Sequence, residues 1–223
     1  MTQPVQLVDI APRRTDRALL VGATGSGKST VAREMAALRN FVVVHDGKGL
    51  VNWDGYVLCK SLRDIERRKD AREFPRIIYR PNRDEKHDDG AKQAFFEWIY
   101  SRGKTTLIVD EVFQIVQGNA LPEAYLACLT SGREHGIEVW NCCQRPTRIP
   151  PEILGEAEHV YVFRLRLEQD RRKIADVTGL DQRQIVRLPK QLFYYVPEDG
   201  DPIGPMKVAL RDGSITHTHT PRK

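Results

Sequence analysis

Short apolar runs recur along the chain, separated by longer stretches in which apolar residues return at helical spacing. The runs at 17–21, 41–45, 56–59, 76–79, 106–109, 137–142 and 159–164 have the length of buried strands. Between them the spacing predicts a helix over 29–38 with Val31, Met35 and Leu38 on one face, and a charged helix near 62–72. It predicts further helices over about 91–101 (burying Phe95, Trp98 and Ile99) and 122–130, a short one beginning near Pro151, and a charged one over 167–177 that stops before Gly179. Segment 82–90 is polar and of mixed charge, and reads as a loop. Strands alternating with amphipathic helices predict a mostly parallel sheet with helices on both faces.

Beyond Leu188 the texture changes. The runs 192–196 and 206–210, separated by Pro- and Gly-rich turns, predict an antiparallel hairpin, and the last dozen residues are expected to be mobile. Residues 1–187 therefore read as the core. Residues 188–223 read as a C-terminal β-hairpin and basic tail, part of the same domain or a small appendage. No internal repeat or low-complexity linker interrupts this organisation.

Composition narrows the class. The chain has 223 residues, 40% hydrophobic and 29% charged, which suits one α/β domain with a real core. No run approaches the roughly 18 apolar residues that span a bilayer, so no direct membrane insertion is expected. The N-terminal residues carry prolines and an Asp rather than a basic-then-apolar leader. Cys59, Cys128, Cys142 and Cys143 lack C-x-x-C spacing, which argues against a zinc or disulfide framework and for a reducing compartment. His217 and His219 read as part of a solvated tail rather than a metal site.

Charge is permissive for a polyanionic partner, with a net +5 and a pI near 9.1. Nine Lys/Arg against four Asp/Glu lie between Lys60 and Arg83, and a second basic cluster holds Arg164, Arg166, Arg171, Arg172 and Lys173. Both are interleaved with acids, as solvated helix faces are, yet either can track phosphates.

The chemistry sits at the ends of two strands. Gly22-Ala23-Thr24-Gly25-Ser26-Gly27-Lys28-Ser29, followed by Thr30, fits G-x-x-x-x-G-K-[ST] in full, between a predicted strand and a predicted helix. Glycines there let backbone N–H groups curl around a phosphate, and the helix N-terminus points at the same anion. Lys28 is placed to neutralise β- and γ-phosphates and the Ser29 hydroxyl to ligand Mg²⁺, so ATP and Mg²⁺ are the expected cofactors. In Leu107-Ile-Val-Asp110-Glu111, Asp110 is placed to order the metal shell and Glu111 to polarise an attacking water. That pairing favours a hydrolase over a small-molecule kinase, which needs no such Glu. A nucleotide-gated assembly protein stays open. A third segment runs from Gly132-Arg133 through a strand to Gln144-Arg-Pro146. Gln144, ending the strand beside the acidic one, can touch a γ-phosphate or the lytic water. Arg133 precedes that strand, where it can project towards a neighbouring subunit.

Taken in order, the phosphate loop, Asp46-Gly-Lys48-Gly49, Asp110-Glu111, Gly132-Arg133 and Gln144-Arg-Pro146 resemble the HerA–FtsK superfamily of DNA-pumping P-loop ATPases. The likeness covers residues 17 to about 180 and departs at Gly47, where that family usually has Pro. It implies a RecA-like ASCE core and a homo-oligomeric ring, expected as a hexamer, with Arg133 as a finger completing the neighbour's site. A stand-alone core of this length is most similar to the genome-packaging ATPases of tailless, membrane-containing icosahedral viruses. The resemblance thus implies an ATPase that translocates double-stranded DNA into a preformed capsid, with capsid-vertex partners, in the host cytoplasm or at the virion vertex. A plasmid or mobile-element translocase shares the same core. Lys48 is a candidate for a DNA channel.

Overall fold

Over the described residues each apolar run named above coincides with a strand, and in Arg17–Val21, Val42–His45 and Thr106–Val109 every residue is buried. The structure is a computed structural model that describes residues 6–68, 70, 72–118 and 120–208, and the backbone of 215–217. Its elements are α1 (Leu7–Ile10), β1 (Arg17–Val21), α2 (Lys28–Ala36), β2 (Val42–His45), β3 (Val57–Cys59), α3 (Leu62–Glu66), β4 (Arg76–Tyr79), α4 (Arg83–His87) and α5 (Asp89–Arg102). They continue with β5 (Thr106–Val109), α6 (Glu123–Thr130), β6 (Glu138–Cys143), α7 (Pro151–Gly155), β7 (His159–Phe163), α8 (Glu168–Thr178), α9 (Gln182–Arg187), β8 (Phe193–Pro197), β9 (Ile203–Val208) and β10 (Ile215–His217).

The described strands form one sheet in the order β10-β9-β8-β7-β1-β6-β5-β2-β4-β3. From β3 to β7 every pairing is parallel. The pairings from β7 through β10 are antiparallel. Successive residues of the central strands serve opposite faces. Leu19, Val21, Val43 and Val109 pack with Phe95 and Phe96 of α5 and Tyr125 of α6. Ala18, Leu20, Val44 and Trp140 pack with α1 and with Val31 and Met35 of α2. Both faces are dry, which is why the strands read as continuous apolar runs. The chain leaves β1 for β2, returns to lay β5 and β6 between them, then crosses to place β7 on the far side. The loops after β1, β5 and β6 converge at one end of the sheet, where open α/β sheets hold ligands.

Several expectations are corrected. Segment 82–90 is helical rather than a loop: Asn82 and Asp88 cap α4 and α5 by accepting hydrogen bonds from two backbone N–H groups each. The helix near 62–72 ends at Glu66, after which the Arg68 guanidinium donates to the Asp64 carbonyl and lies over Phe74. Leu38 lies beyond the end of α2 and is half exposed. The antiparallel hairpin expected after Leu188 is present as β8 and β9, and it continues the main sheet directly, through β7. Of the residues expected to be mobile, 215–217 pair with β9. The others, with His219 and Leu210, lie outside the described residues. Among the described residues no helix is long and apolar enough to cross a membrane.

Candidate functional site

The segment joining β1 to α2 is clamped from both sides. Gly22 N–H donates to the Cys143 carbonyl at 3.0 Å and Ala23 N–H to the Arg164 carbonyl at 2.9 Å, tying the loop to the ends of β6 and β7. A side chain at Gly22 would place Cβ 2.5 Å from Phe163 Cβ. Gly27, at φ 113°, makes the left-handed turn into α2, a conformation that L side chains adopt only at a cost. Thr24 through Thr30 line a cavity of about 390 Å³. Gly22 and Ala23 lie behind it, and their carbonyls accept hydrogen bonds from Lys28 Nζ at 2.7 and 3.1 Å.

The donors of this loop suit an anion. Lys28 is buried, and that burial lowers its pKa, with Lys48 adding repulsion and Glu111 and Asp110 opposing. Ser26 Oγ is buried without a hydrogen-bond partner. A phosphate would satisfy both groups, since a buried ammonium and an orphaned hydroxyl each carry a desolvation cost. The donor set for a divalent cation is also assembled: Ser29 Oγ donates to Asp110 Oδ1 at 2.8 Å, which brings two oxygen ligands of the hard-cation type to one point. These residues fit a Mg²⁺-nucleotide.

Asp110 and Glu111 leave β5 at the same end of the sheet, and Asp110 N–H is anchored on the His45 carbonyl. Glu111 is buried, and its Oε2 accepts a hydrogen bond from Lys48 Nζ at 2.5 Å. Gln144, directly after β6, lines the same cavity as the loop and Asp110, and its Oε1 accepts from Thr24 Oγ1 at 2.9 Å. Lys28, Ser29, Asp110, Glu111 and Gln144 therefore share one end of the sheet.

Arg133 does not join them. It lies in the 3₁₀ turn Gly132–His135 that precedes β6, and its guanidinium donates to Glu158 Oε1 at 2.6 Å. Glu158 in turn accepts from Arg17 N–H, at the start of β1. The length of β1, on the order of 15 Å, separates this point from the phosphate loop. Arg133 cannot act in its own chain's pocket; its side chain is 55% exposed at the opposite end.

Two contributors were missed in the sequence. Lys48 lines the pocket, where buried Asp46 folds its loop inward by accepting from Gly49, Leu50 and Val51 N–H and from Arg80 Nε. Gln191, at φ 67°, closes the pocket from the C-terminal segment, its N–H donating to the Ser26 carbonyl at 2.9 Å. The motif around Lys48 carried a signal for a loop, but not for its direction. Gln191 carried none. The four cysteines are buried free thiols, and burial pushes Cys128 and Cys143 up to about 12 and Cys142 well above its usual range, which makes them poor nucleophiles.

No protein-family model and no curated protein matches this chain. Solved structures do. The genome-packaging NTPase B204 of Sulfolobus turreted icosahedral virus 2, in complex with AMP, matches with a TM-score of 0.68 at 18% identity, over 84% of this chain and 95% of that one. The chain has the P-loop ATPase fold of packaging and coupling proteins. The pCW3 conjugation coupling protein TcpA, with ATPγS, gives a TM-score of 0.56 at 14% identity, over 85% of this chain and 59% of that one. The plasmid coupling protein TrwB, with a non-hydrolysable ATP analogue, gives 0.54 at 12% identity, over 85% and 84%. The resemblance carried by the motifs is borne out at the level of the fold.

Of the two basic clusters, the one from Lys60 to Arg83 lies about the β3–β4 edge and is partly consumed by internal contacts. Arg68, Arg76 and Arg80 all donate to groups of this chain. Arg164, Arg166 and Arg172 are exposed after β7, at the same end of the sheet as the pocket.

Proposed function

We propose that this protein is an ATPase that hydrolyses ATP to ADP and phosphate and couples the reaction to movement of double-stranded DNA, most simply genome packaging into a viral capsid. The observation that carries the reading is the convergence of the phosphate loop, the Ser29–Asp110 pair and the buried Glu111 at one end of a sheet with the fold of a packaging NTPase. In this reading Lys28 leaves the Gly22 and Ala23 carbonyls for the β- and γ-phosphates, and the loop N–H groups hold the phosphate chain. Ser29 and Asp110 hold Mg²⁺, which supplies charge neutralisation at the phosphate oxygens. Glu111 accepts a proton from the water whose oxygen bonds to the γ-phosphorus as the bond to the ADP oxygen breaks. Gln144, fixed by Thr24, touches the γ-phosphate or that water and reports nucleotide state to the loop.

Arg133 then serves the next subunit of a homo-oligomeric ring, a role that its exposed place far from its own pocket allows. DNA is held without sequence reading, through backbone phosphates, and the exposed arginines after β7 are placed for that contact. The likeness to TcpA and TrwB supports a second reading, a plasmid or mobile-element translocase on the same chemistry.

Phosphate release, measured with and without duplex DNA at low salt, tests the proposal. Stimulation by duplex of any sequence that fades steeply with added salt is expected, because each neutralised phosphate releases counterions. Hydrolysis indifferent to DNA would point to a nucleotide-gated assembly protein. Transfer of phosphate to a nucleoside would make the protein a kinase.

A further inference from the structure

Lys48 is an unusual neighbour for a water-activating carboxylate. Its ammonium lies 2.5 Å from Glu111 Oε2, so one lone pair that would receive a proton is already engaged. The contact is not a loose surface pair. Asp46, fully buried, pins the backbone on the C-terminal side of Lys48 through three N–H groups and is itself held by Arg80 Nε at 2.9 Å. On the N-terminal side Gly47 packs on the turn that follows Glu111, where an added Cβ would lie 2.8 Å from Gln114 Cβ. The loop carrying Lys48 and the turn carrying Glu111 are therefore braced against each other.

The same Lys48 lines the pocket with Lys28, Ser29, Asp110 and Gln144, and its side chain stays 23% exposed. A terminal phosphate brought there by the loop would carry more negative charge than a single carboxylate. One ammonium would then face two anionic claimants, and only one of them is always present.

We propose that Lys48 is a γ-phosphate-sensing positioning residue: it holds Glu111 while no terminal phosphate is bound, and moves to that phosphate when a triphosphate enters, releasing Glu111 to the attacking water. Diphosphate offers no such claimant, so Glu111 stays held after phosphate leaves. The inference rests on the ATPase reading of the pocket.

Equilibrium binding of ADP and of a non-hydrolysable ATP analogue to the full chain tests it without turnover. Lys48→Met should leave ADP affinity within about twofold and weaken the analogue about tenfold, the scale of one lost charge-assisted hydrogen bond. Glu111→Gln, which removes the competing claimant, should tighten the analogue severalfold and leave ADP unchanged. The double variant should lose that gain, and Lys48→Arg should keep most of the discrimination between the two nucleotides. Equal weakening of ADP and analogue by Lys48→Met would assign Lys48 a structural role and overturn the inference. So would a Glu111→Gln gain that survives without Lys48, or analogue affinity indifferent to Lys48. If the parent binds neither nucleotide, or Lys28→Ala leaves binding intact, the reading of the pocket itself falls, and the inference with it.

Discussion

Two buried carboxylates stand at opposite ends of adjacent strands, and they are held in opposite ways. Glu138, at the start of β6, is 3% exposed and accepts four hydrogen bonds: two from Arg39, one from Thr106 Oγ1 and one from Trp140 Nε1. Glu111, just past the end of β5, is 5% exposed and, among the described residues, accepts one, from Lys48. Burial is the same, but saturation differs. A carboxylate with its lone pairs filled has no acceptor site left for a water or ligand and serves packing. One held by a single ammonium keeps lone pairs free for a water. Two further groups show the same contrast: the Arg17 guanidinium is filled by carbonyls at the first end, while Ser26 Oγ is buried without a partner at the second.

Arg133 breaks this division, because it lies at the saturated end yet is proposed to do chemistry. Its replacement tests the exception with the largest expected effect. Arg133→Ala should lower turnover about a thousandfold, as loss of an arginine finger does. Stability should change by less than about 1 kcal/mol, since the pair with Glu158 is exposed on the Arg133 side. Mixing Arg133→Ala subunits with Glu111→Gln subunits should restore measurable hydrolysis, because some interfaces then pair an intact Glu111 with an intact Arg133. Full activity of Arg133→Ala alone, in assembled rings, would return Arg133 to a surface role.

The two carboxylates themselves should separate cleanly. Glu111→Gln should lower turnover at least about a hundredfold while leaving the melting curve near that of the parent. Glu138→Gln should do the reverse. It leaves the Arg39 guanidinium, only 14% exposed, facing a neutral amide, and should cost about 3–5 kcal/mol of stability with turnover per folded molecule unchanged. If denaturant unfolding and steady-state rates fail to separate the two variants, saturation does not distinguish structural from functional carboxylates here.

The sequence and the sheet agree most closely where a local rule suffices. Continuous apolar runs marked β1, β5 and β7 because both faces of those strands are buried, and the glycine spacing of 22–27 marked a loop whose backbone must turn tightly. Segment 82–90 misled because helix α4 buries no residue, so no apolar period betrays it; its signal was the capping side chains Asn82 and Asp88. Lys48 and Gln191 were beyond reach for a different reason. Lys48 depends on contacts from Arg80 and Glu111, and Gln191 on Ser26, all far away in the chain. A direction set by long-range packing leaves no local pattern.

The smallest expected effect concerns His45, which sits at the pocket end of β2 and shows the cost of leaving polar groups there underpartnered. Its ring is fully buried among Tyr79, Phe95 and Phe96, its Nδ1 has no hydrogen-bond partner, and burial lowers its pKa from 6.5 to about 4. Lys92 and Lys86 push the same way. The unfolded chain therefore takes up a proton near pH 6.5 that the folded chain refuses until about pH 4, so stability falls as pH drops through that window. Between pH 7 and 5 the loss should be roughly 2 kcal/mol, since each pH step over which the two states differ by one bound proton costs about 1.4 kcal/mol. His45→Phe, which keeps an aromatic ring in an aromatic surround, should remove this slope whatever it does to stability at neutral pH. Denaturant unfolding at several pH values between 7 and 5 reads the slope directly. An unchanged slope in His45→Phe would place the acid sensitivity elsewhere, and would show that the pocket end tolerates its unpartnered ring nitrogen without a proton-linked cost.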